Sequence, residues 1–401
     1  MFDLTELQAA LRTASIDGWL LYDFRGSNVL ARRILDMEQR PIGSRRFFYF
    51  IPAQGQPAGL VHRIEAGALD HLPGPKHVYL HWRELEQGVA RLLAGTRRVA
   101  MEYAPRNSNP YVSRVDAGTI ELVRELGVEV VSSGNLIQQF EAAWDDEQWA
   151  MHLEAARHTT SAFDRAFGFI ARELAAGRRV RESAVQAVIL AHFQEHGLVT
   201  DHPPIVAVGP HSADPHYATS AATDVEMGEG DLVLIDLWAK LDRPRSVYSD
   251  LTRMGYLGRS VPEAYQEVFS IVAQARDAAI SCVRDAYRAG RPLPGWKVDQ
   301  AARDVIEAAG YGPQFVHRTG HSIGQETHGN GANMDNLETH EERLVLPRTC
   351  FSIEPGIYLS EFGVRSEVNV FVDAGGEVHV TGGPAQREIL AVLRDAAGER
   401  P

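Results

Sequence analysis

The chain has 401 residues, 44% of them hydrophobic, which is long enough for two domains that each bury a core. Its 53 acidic against 40 basic residues give a formal charge of −13, which argues against nucleic acid as a partner, because such proteins need a basic surface to displace counterions from phosphate. No stretch approaches transmembrane length, so no membrane partner is expected, and the opening MFDLTELQAALRTA carries an early acid and no apolar core segment, unlike a signal peptide.

The first part mixes strands and helices in α/β fashion. LTELQAALRTASID carries apolar residues at helical spacing, DGWLLYD and RRFFYFIPA read as strands, and the turn-rich EAGALDHLPGPKHVYLHW leads into another. GVARLL predicts a short helix, and VAMEYAP and GVEVVSS predict strands flanking the helical VDAGTIELVREL. From SSGNLIQQF to FIARELAAG the pattern predicts one long helical stretch without a strong break before Gly177. A domain boundary is placed at its entry, giving a smaller α/β domain over 1–140 and a larger one over 141–401. In the larger part ESAVQAVILAHFQEHG, VPEAYQEVFSIVAQARDAAISCVRDAYRAG and KVDQAARDVIEAAG are helices closed by glycine. Strand-like segments between and after them predict an antiparallel sheet covered by helices, an α+β arrangement. Cys282 and Cys350 stand far apart in no metal-type spacing, which suits a reducing, cytoplasmic compartment.

Asp236, Asp250, His321, Glu354 and Glu367 each stand in an otherwise apolar or glycine-flanked segment. DLVLIDLW and VYSDLTR place the two aspartates in apolar runs too short for helices. CFSIEPG ends on Glu354 before a Pro-Gly break, and RSEVNVFV alternates so that Glu367 takes one strand face. Burying several ionised carboxylates costs several kcal/mol each unless positive charge compensates, and no run of Lys or Arg lies beside them. A divalent metal is the economical compensation. One imidazole with four carboxylates is a hard, oxygen-rich set with too many ligands for one tetrahedral zinc. Two divalent ions bridged by carboxylates fit better, with Mn(II) leading and Co(II) or Zn(II) compatible.

The order Asp, Asp, His, Glu, Glu, with HRTGHSIGQETH around His321, SIEPG around Glu354 and VRSEVNV around Glu367, resembles the pita-bread metallopeptidases: methionine aminopeptidase, aminopeptidase P and prolidase. The resemblance covers roughly 140–401 and is looser before that. It implies a pita-bread catalytic domain over 141–401, a creatinase-like N-terminal domain over 1–140, a homodimer, and hydrolysis of a small peptide by a hydroxide bridging two metal ions. Glu354 matches the family's acid-base glutamate. His216, in DPHYATS, resembles the family's substrate histidine, the alternative being a solvated loop residue. His328 in HSIGQETH either faces the same cavity as His321 or supports it by a hydrogen bond, and both histidines are expected to hold the substrate carbonyl. His317 either touches substrate or positions its loop. Arg365, two residues before Glu367 and so on the same strand face, is expected to orient a ligand carboxylate or the substrate.

A substantial N-terminal domain favours the proline-directed branch of that family over methionine aminopeptidase. Within the branch, HRTGH resembles prolidase-like sequences more than the HGxGH form, and Arg318 would then pair with the free carboxylate of an Xaa-Pro dipeptide, a structural salt bridge being the alternative. LLYDFRGSNVLARRI loosely resembles the family's strand and Asn-containing turn, so Tyr22, Asp23, Arg25 and Asn28 become candidates for substrate-end contacts, with Asp23 suited to a free amino group and a plain strand-turn role the leading alternative for each. The sequence departs from the family pattern at Trp238, Lys240 and Gly329, and in a longer connection between Asp236 and Asp250. Aminopeptidase P acting on longer peptides, and a non-peptidase enzyme or a binding protein on the same fold, are the other readings.

Overall fold

Aliphatic and aromatic runs make up the central strands of the first 140 residues, and pairing them buries those strands on both faces. In this computed structural model, which describes residues 2–394, the chain divides into two units, 1–140 and 141–401. The first holds β1 (Gly18–Asp23), β2 (Phe47–Pro52), β3 (Ala58–His62), β4 (Lys76–Tyr79), β5 (Arg98–Met101) and β6 (Glu129–Ser132) in one mixed sheet of order β4-β3-β2-β1-β5-β6. Trp19 and Leu21 of β1 pack against α1 (Leu4–Thr13), α2 (Val29–Ile34) and α5 (Gly134–Glu141). Leu20 and Tyr22 pack on the other side against α3 (Trp82–Leu92) and α4 (Ala117–Glu125), as the period of two requires. The α3 helix starts well before the predicted GVARLL, because the Glu84 carboxylate accepts from the N–H groups of Leu80 (2.7 Å) and His81 (3.2 Å) and caps its first turn.

The long helical stretch expected up to Gly177 is in fact two helices, α5 and α6 (Asp146–Ala175). Asp145 accepts from the N–H of Gln148 (2.9 Å) while the Gln148 side chain accepts from the N–H of Asp145 (3.2 Å), so a reciprocal cap starts a new helix.

Two sheets form the second unit. In the first, β11 (Leu232–Leu241) pairs with β8 (Leu198–Val199), β9 (Ile205–Val208) and β12 (Ser249–Tyr256), with β19 (Leu390–Ala391) beside β12. Val233, Ile235, Leu237 and Ala239 pack against α6 and α7 (Glu182–Glu195), so Asp236 points to the opposite face with its cross-strand partner Thr252, and Asp250 lies there opposite Trp238. The second sheet runs β13 (Ser322–Ile323), β14 (Cys350–Ile353), β17 (Val368–Val372), β18 (Val378–Thr381). There Phe351, Ile353, Val368 and Val370 pack against α8 (Glu263–Arg288) and α9 (Gly295–Ala308), leaving Ser352 and Asn369 on the other face. Two short pairs complete the unit: β7 (Val180–Arg181) with β10 (Glu226–Met227), and the hairpin of β15 (Gly356–Tyr358) and β16 (Gly363–Arg365). The Asn369 amide joins the sheets, accepting from the N–H of Asp250 (3.0 Å) and donating to its carbonyl (2.5 Å) as a strand partner would. No helix among the described residues is long and apolar enough to cross a membrane.

His152 of α6 is fully buried, donating to the Tyr248 carbonyl (2.8 Å) and accepting from the Thr381 hydroxyl (2.7 Å). Burial pushes its pKa down to about 4. A base whose folded pKa is depressed adds stability at pH values above its unfolded pKa, and that contribution fades as pH falls towards the folded value. The stability gap between wild type and His152→Gln, measured by urea unfolding, should therefore shrink by about 3 kcal/mol between pH 6.5 and 4. A gap that stays constant would show that His152 is not held neutral.

Candidate metal centre

The strand registers bring the five predicted ligands to one place. Oxygens of Asp236, Asp250 and Glu367 lie within 4.8 Å of one another. Nε2 of His321 is 3.4 Å from Oδ2 of Asp250 and 3.3 Å from Oε1 of Glu354. Backbone pairing explains how His321 and Glu354 meet. Ser352 donates its N–H to the His321 carbonyl (2.9 Å), Glu354 donates to Thr319 (2.7 Å), and the Ser352 hydroxyl accepts from the His321 N–H (3.0 Å) while donating to Glu354 (2.9 Å).

Burial raises the pKa of Asp236 to about 7, Arg365 pulling against it and Asp250 and Glu354 pushing with it. Asp250 and Glu367 are raised well above the ordinary carboxylate range, first by burial and then by their carboxylate neighbours. Glu354 is pushed up by burial too, but His321, His317, Arg365 and the Ser352 hydroxyl outweigh it and hold it below its ordinary value. Oδ1 of Asp236 and Oε1 of Glu367 are buried without a hydrogen-bond partner among the described residues. Orphaned anionic oxygens of this kind call for a cation, and a hard divalent ion fits the donor set.

Arg365 is 3% exposed and is turned to the carboxylates, which makes it an orienting residue where the sequence also allowed a substrate contact. It donates to Asp236 (2.5 Å), Thr252 (3.1 Å), the Tyr358 hydroxyl (3.0 Å) and the Pro215 carbonyl (3.2 Å). Thr252 passes its own hydrogen to Glu367 (2.7 Å). His317 lies outside the ligand set. Burial pushes its pKa down to about 4, and its ring reaches the Tyr358 hydroxyl at 2.7 Å and the Arg318 carbonyl at 2.6 Å. Tyr358, which sequence reasoning missed, therefore links His317 to Arg365, and burial raises its own pKa to about 12. Gly356 and Gly363 make room for it, since a Cβ at either would come within 2.7 Å of the Tyr358 side chain.

The His328 ring centroid is 4.2 Å from that of His321, whose charge is the first cause holding the His328 pKa down at about 3. Arg318 lowers both histidines as well, and His216 is a further neighbour of His328. His216 sits exposed on a loop anchored by Glu182, a second residue missed in the sequence, which is fully buried and accepts from the Val208 N–H (3.0 Å), the His211 ring (2.9 Å) and the Tyr217 hydroxyl (2.6 Å). Trp238, one of the departures from the family pattern, shares the Asp236 face and donates to Asp201 (2.6 Å), while Lys240 donates to the Gln325 carbonyl (2.6 Å). Asp23 takes the strand-turn role that the sequence offered beside a substrate contact. It is 2% exposed within the first unit, accepts from the N–H groups of Gly26 (3.1 Å) and Asn28 (3.0 Å), and stands 3.7 Å from Arg32, so it organises a turn. Asn28 is likewise spent on the Tyr22 carbonyl (2.8 Å), Glu102 (2.6 Å) and the cap of α2.

Two sheets backed by helices, with a carboxylate-histidine centre between their inner faces, define a pita-bread metallopeptidase. Residues 150–374 match the model of metallopeptidase family M24, and the chain belongs to that family. It is 28% identical over 351 residues to a probable dipeptidase PepE of Mycobacterium tuberculosis, a match covering 85% of each chain. It is 31% identical over 231 residues to a Xaa-Pro dipeptidase of Pyrococcus furiosus, covering 57% of this chain and 60% of that one. Among solved structures, dipeptidase PepE from Mycobacterium ulcerans superposes with a TM-score of 0.64 at 25% identity, over 97% of this chain and 96% of that one. An X-prolyl aminopeptidase from Caenorhabditis elegans, described as having a di-nuclear active site, shares the fold with a TM-score of 0.58 at 16% identity, over 98% of this chain and 63% of that one.

Replacing a ligand carboxylate relieves repulsion in the metal-free protein but removes a metal contact. In excess chelator Asp250→Asn should melt no lower than wild type, and Mn(II) should raise the melting temperature of wild type far more than that of the variant. Equal metal-induced shifts by calorimetry would remove Asp250 from the ligand set.

Proposed function

We propose that the protein hydrolyses the Xaa-Pro imide bond, with dipeptides as its preferred substrates. The observation that carries this reading is the guanidinium of Arg318 beside the carboxylate-histidine centre, close enough for its charge to act on both His321 and His328. Two relatives, a probable dipeptidase PepE and a Xaa-Pro dipeptidase, support it. Asp236, Asp250, His321, Glu354 and Glu367 would hold two divalent ions, Mn(II) in preference to Co(II) or Zn(II) because four of the five donors are carboxylates. Bound there, such ions supply Lewis acidity, polarising the scissile carbonyl and lowering the pKa of the attacking water.

The chain's own residues do the rest. Glu354, held ionised by the two imidazoles and the Arg365 guanidinium beside it and by the Ser352 hydroxyl, takes a proton from the attacking water and returns it to the leaving proline nitrogen. That nitrogen has no hydrogen of its own before cleavage, and its ring cannot join an extended backbone pairing, so the substrate must be held at its ends. His328, kept neutral, donates a hydrogen bond to the carbonyl oxygen as charge develops there, with His216 on the loop beside it. Arg365 keeps Asp236 in place and Arg318 takes the free carboxylate of the proline. Both cysteines are free, which supports a cytoplasmic enzyme.

Chelation should abolish hydrolysis and Mn(II) or Co(II) restore it, while Glu354→Gln should lower turnover by about two to four orders of magnitude with the fold kept. Near-normal turnover in that variant with metal bound would move the proton transfer elsewhere. Dipeptides should outrun Xaa-Pro-Xaa tripeptides, and Arg318→Ala should raise the Michaelis constant for dipeptides by about tenfold or more, or ~1.4 kcal/mol, without a matching loss on tripeptides. Equal cleavage of both substrate classes by wild type would turn the assignment to an aminopeptidase acting on longer peptides.

A further inference from the structure

Three imidazoles meet between α6 and α7, on the face of the first sheet away from the carboxylates. His158 belongs to α6, His192 to the last turn of α7, and His196 caps α7 four residues on, so the last two share one side of that helix. Ring centroids of His192 and His196 are 4.2 Å apart, and those of His158 and His196 are 4.4 Å apart. One nitrogen from each of the three rings lies within 4.8 Å of the others.

The hydrogen bonds fix which nitrogens carry lone pairs. Nε2 of His192 is 3.1 Å from the His158 carbonyl, which can only accept, so Nε2 carries the hydrogen. The Ser161 hydroxyl donates its own hydrogen to that carbonyl (3.0 Å) and can only accept from the ring (3.0 Å), in agreement. The lone pair of His192 is therefore on Nδ1, which is buried with no hydrogen-bond partner among the described residues, in a side chain only 5% exposed. His196 follows the same rule, Nδ1 donating to the His192 carbonyl (2.8 Å) and Nε2 keeping the lone pair. Nε2 of His158 carries a lone pair as well, held in this structure by the exposed Arg157 guanidinium at 3.3 Å, which has to swing aside when an ion binds. Ring stacking alone accounts for the contacts but leaves a buried acceptor unpaired, which costs about 1–3 kcal/mol. Burial holds His158 and His192 below the ordinary histidine range, so both rings are neutral and basic near pH 7.

We propose that His158, His192 and His196 form a separate binding site for a borderline transition-metal ion of the Zn(II) class, which clips α6 to α7. Three imidazoles, two of them oriented by backbone carbonyls on the opposite ring nitrogen, are the donor set and the support such an ion requires, with solvent beside the exposed His196 for the fourth position. An all-nitrogen site selects against Mn(II), whereas the oxygen-rich centre admits it. The sheet separates the two, since Ile235 and Leu237 pack against α6 and α7 while Asp236 points the other way. An ion here touches neither the peptide nor the catalytic ligands.

The full-length protein, dialysed to equilibrium against Zn(II) and analysed for metal, tests this by comparing wild type with His196→Asn and His158→Ala. Each variant should bind one zinc fewer per chain than wild type whatever the wild-type total, and zinc should raise its melting temperature less. Peptidase activity of the Mn(II)-loaded enzyme should be unchanged in both. Equal zinc content in all three proteins overturns the site. Because the difference is read against wild type, failure of the dinuclear assignment would change the total and leave this comparison intact. Should one variant not fold, as its lost activity would reveal, the other decides.

Discussion

Like charges gathered in a dry interior govern the architecture of this protein. Asp236, Asp250, Glu354 and Glu367 arrive from two different sheets and face one another at a depth where repulsion is poorly screened. Such groups stay put only if their backbones do. Each sits on a strand or directly at the end of one, with helices packed on the far side, and the Asn369 amide fixes the sheets to each other at Asp250 itself. The rigid parts of the second unit are therefore arranged around a cluster that would otherwise push itself apart.

Positive charge enters by a separate route. The hairpin of β15 and β16 carries Arg365 to Asp236 from one side, and Tyr358 on the same hairpin holds the other end of the guanidinium while receiving His317. A tyrosine whose ionisation is suppressed by burial remains a hydroxyl that can donate and accept at once, which is what a junction between an imidazole and a guanidinium needs. The loop bearing His216 has an analogous support in Glu182, a buried carboxylate outside the central cluster that accepts three hydrogen bonds.

The candidate ligands that the structure brings together were legible in the sequence because a charge that interrupts an apolar run is conspicuous, as Asp236 is in LVLIDLW. Their supports were not. Thr252, Ser352, Asn369 and Tyr358 are ordinary strand residues, and what they hold is decided by strand pairing, most plainly where Thr252 reaches Glu367 and Asn369 reaches Asp250 from far along the chain. The period of two put Arg365 and Glu367 on one face of a single strand, whereas Arg365 ends β16 and Glu367 precedes β17; the two meet through the Thr252 hydroxyl, and the carboxylate that Arg365 engages, Asp236, belongs to another strand. Asp23 was ambiguous for the opposite reason, since an aspartate at a strand end before a turn suits both a substrate contact and a turn, and its burial and N–H partners in the structure show the turn role. The boundary between α5 and α6 was written in DDEQ, where Asp145 and Gln148 make a capping box, but good helix formers on both sides concealed it.

The alternation of β11 also constrains how this chain can change length over evolution. Asp236 faces the centre while Ile235 and Leu237 face α6 and α7, so removing or adding one residue between Val233 and Asp236 would turn the carboxylate into the helix-packed core and an aliphatic side chain into the metal centre. Heritable insertions there are confined to even steps. The connection from Asp242 to Val247 lies outside the ladder and carries no such parity, so residues added there leave the register intact at little entropic cost.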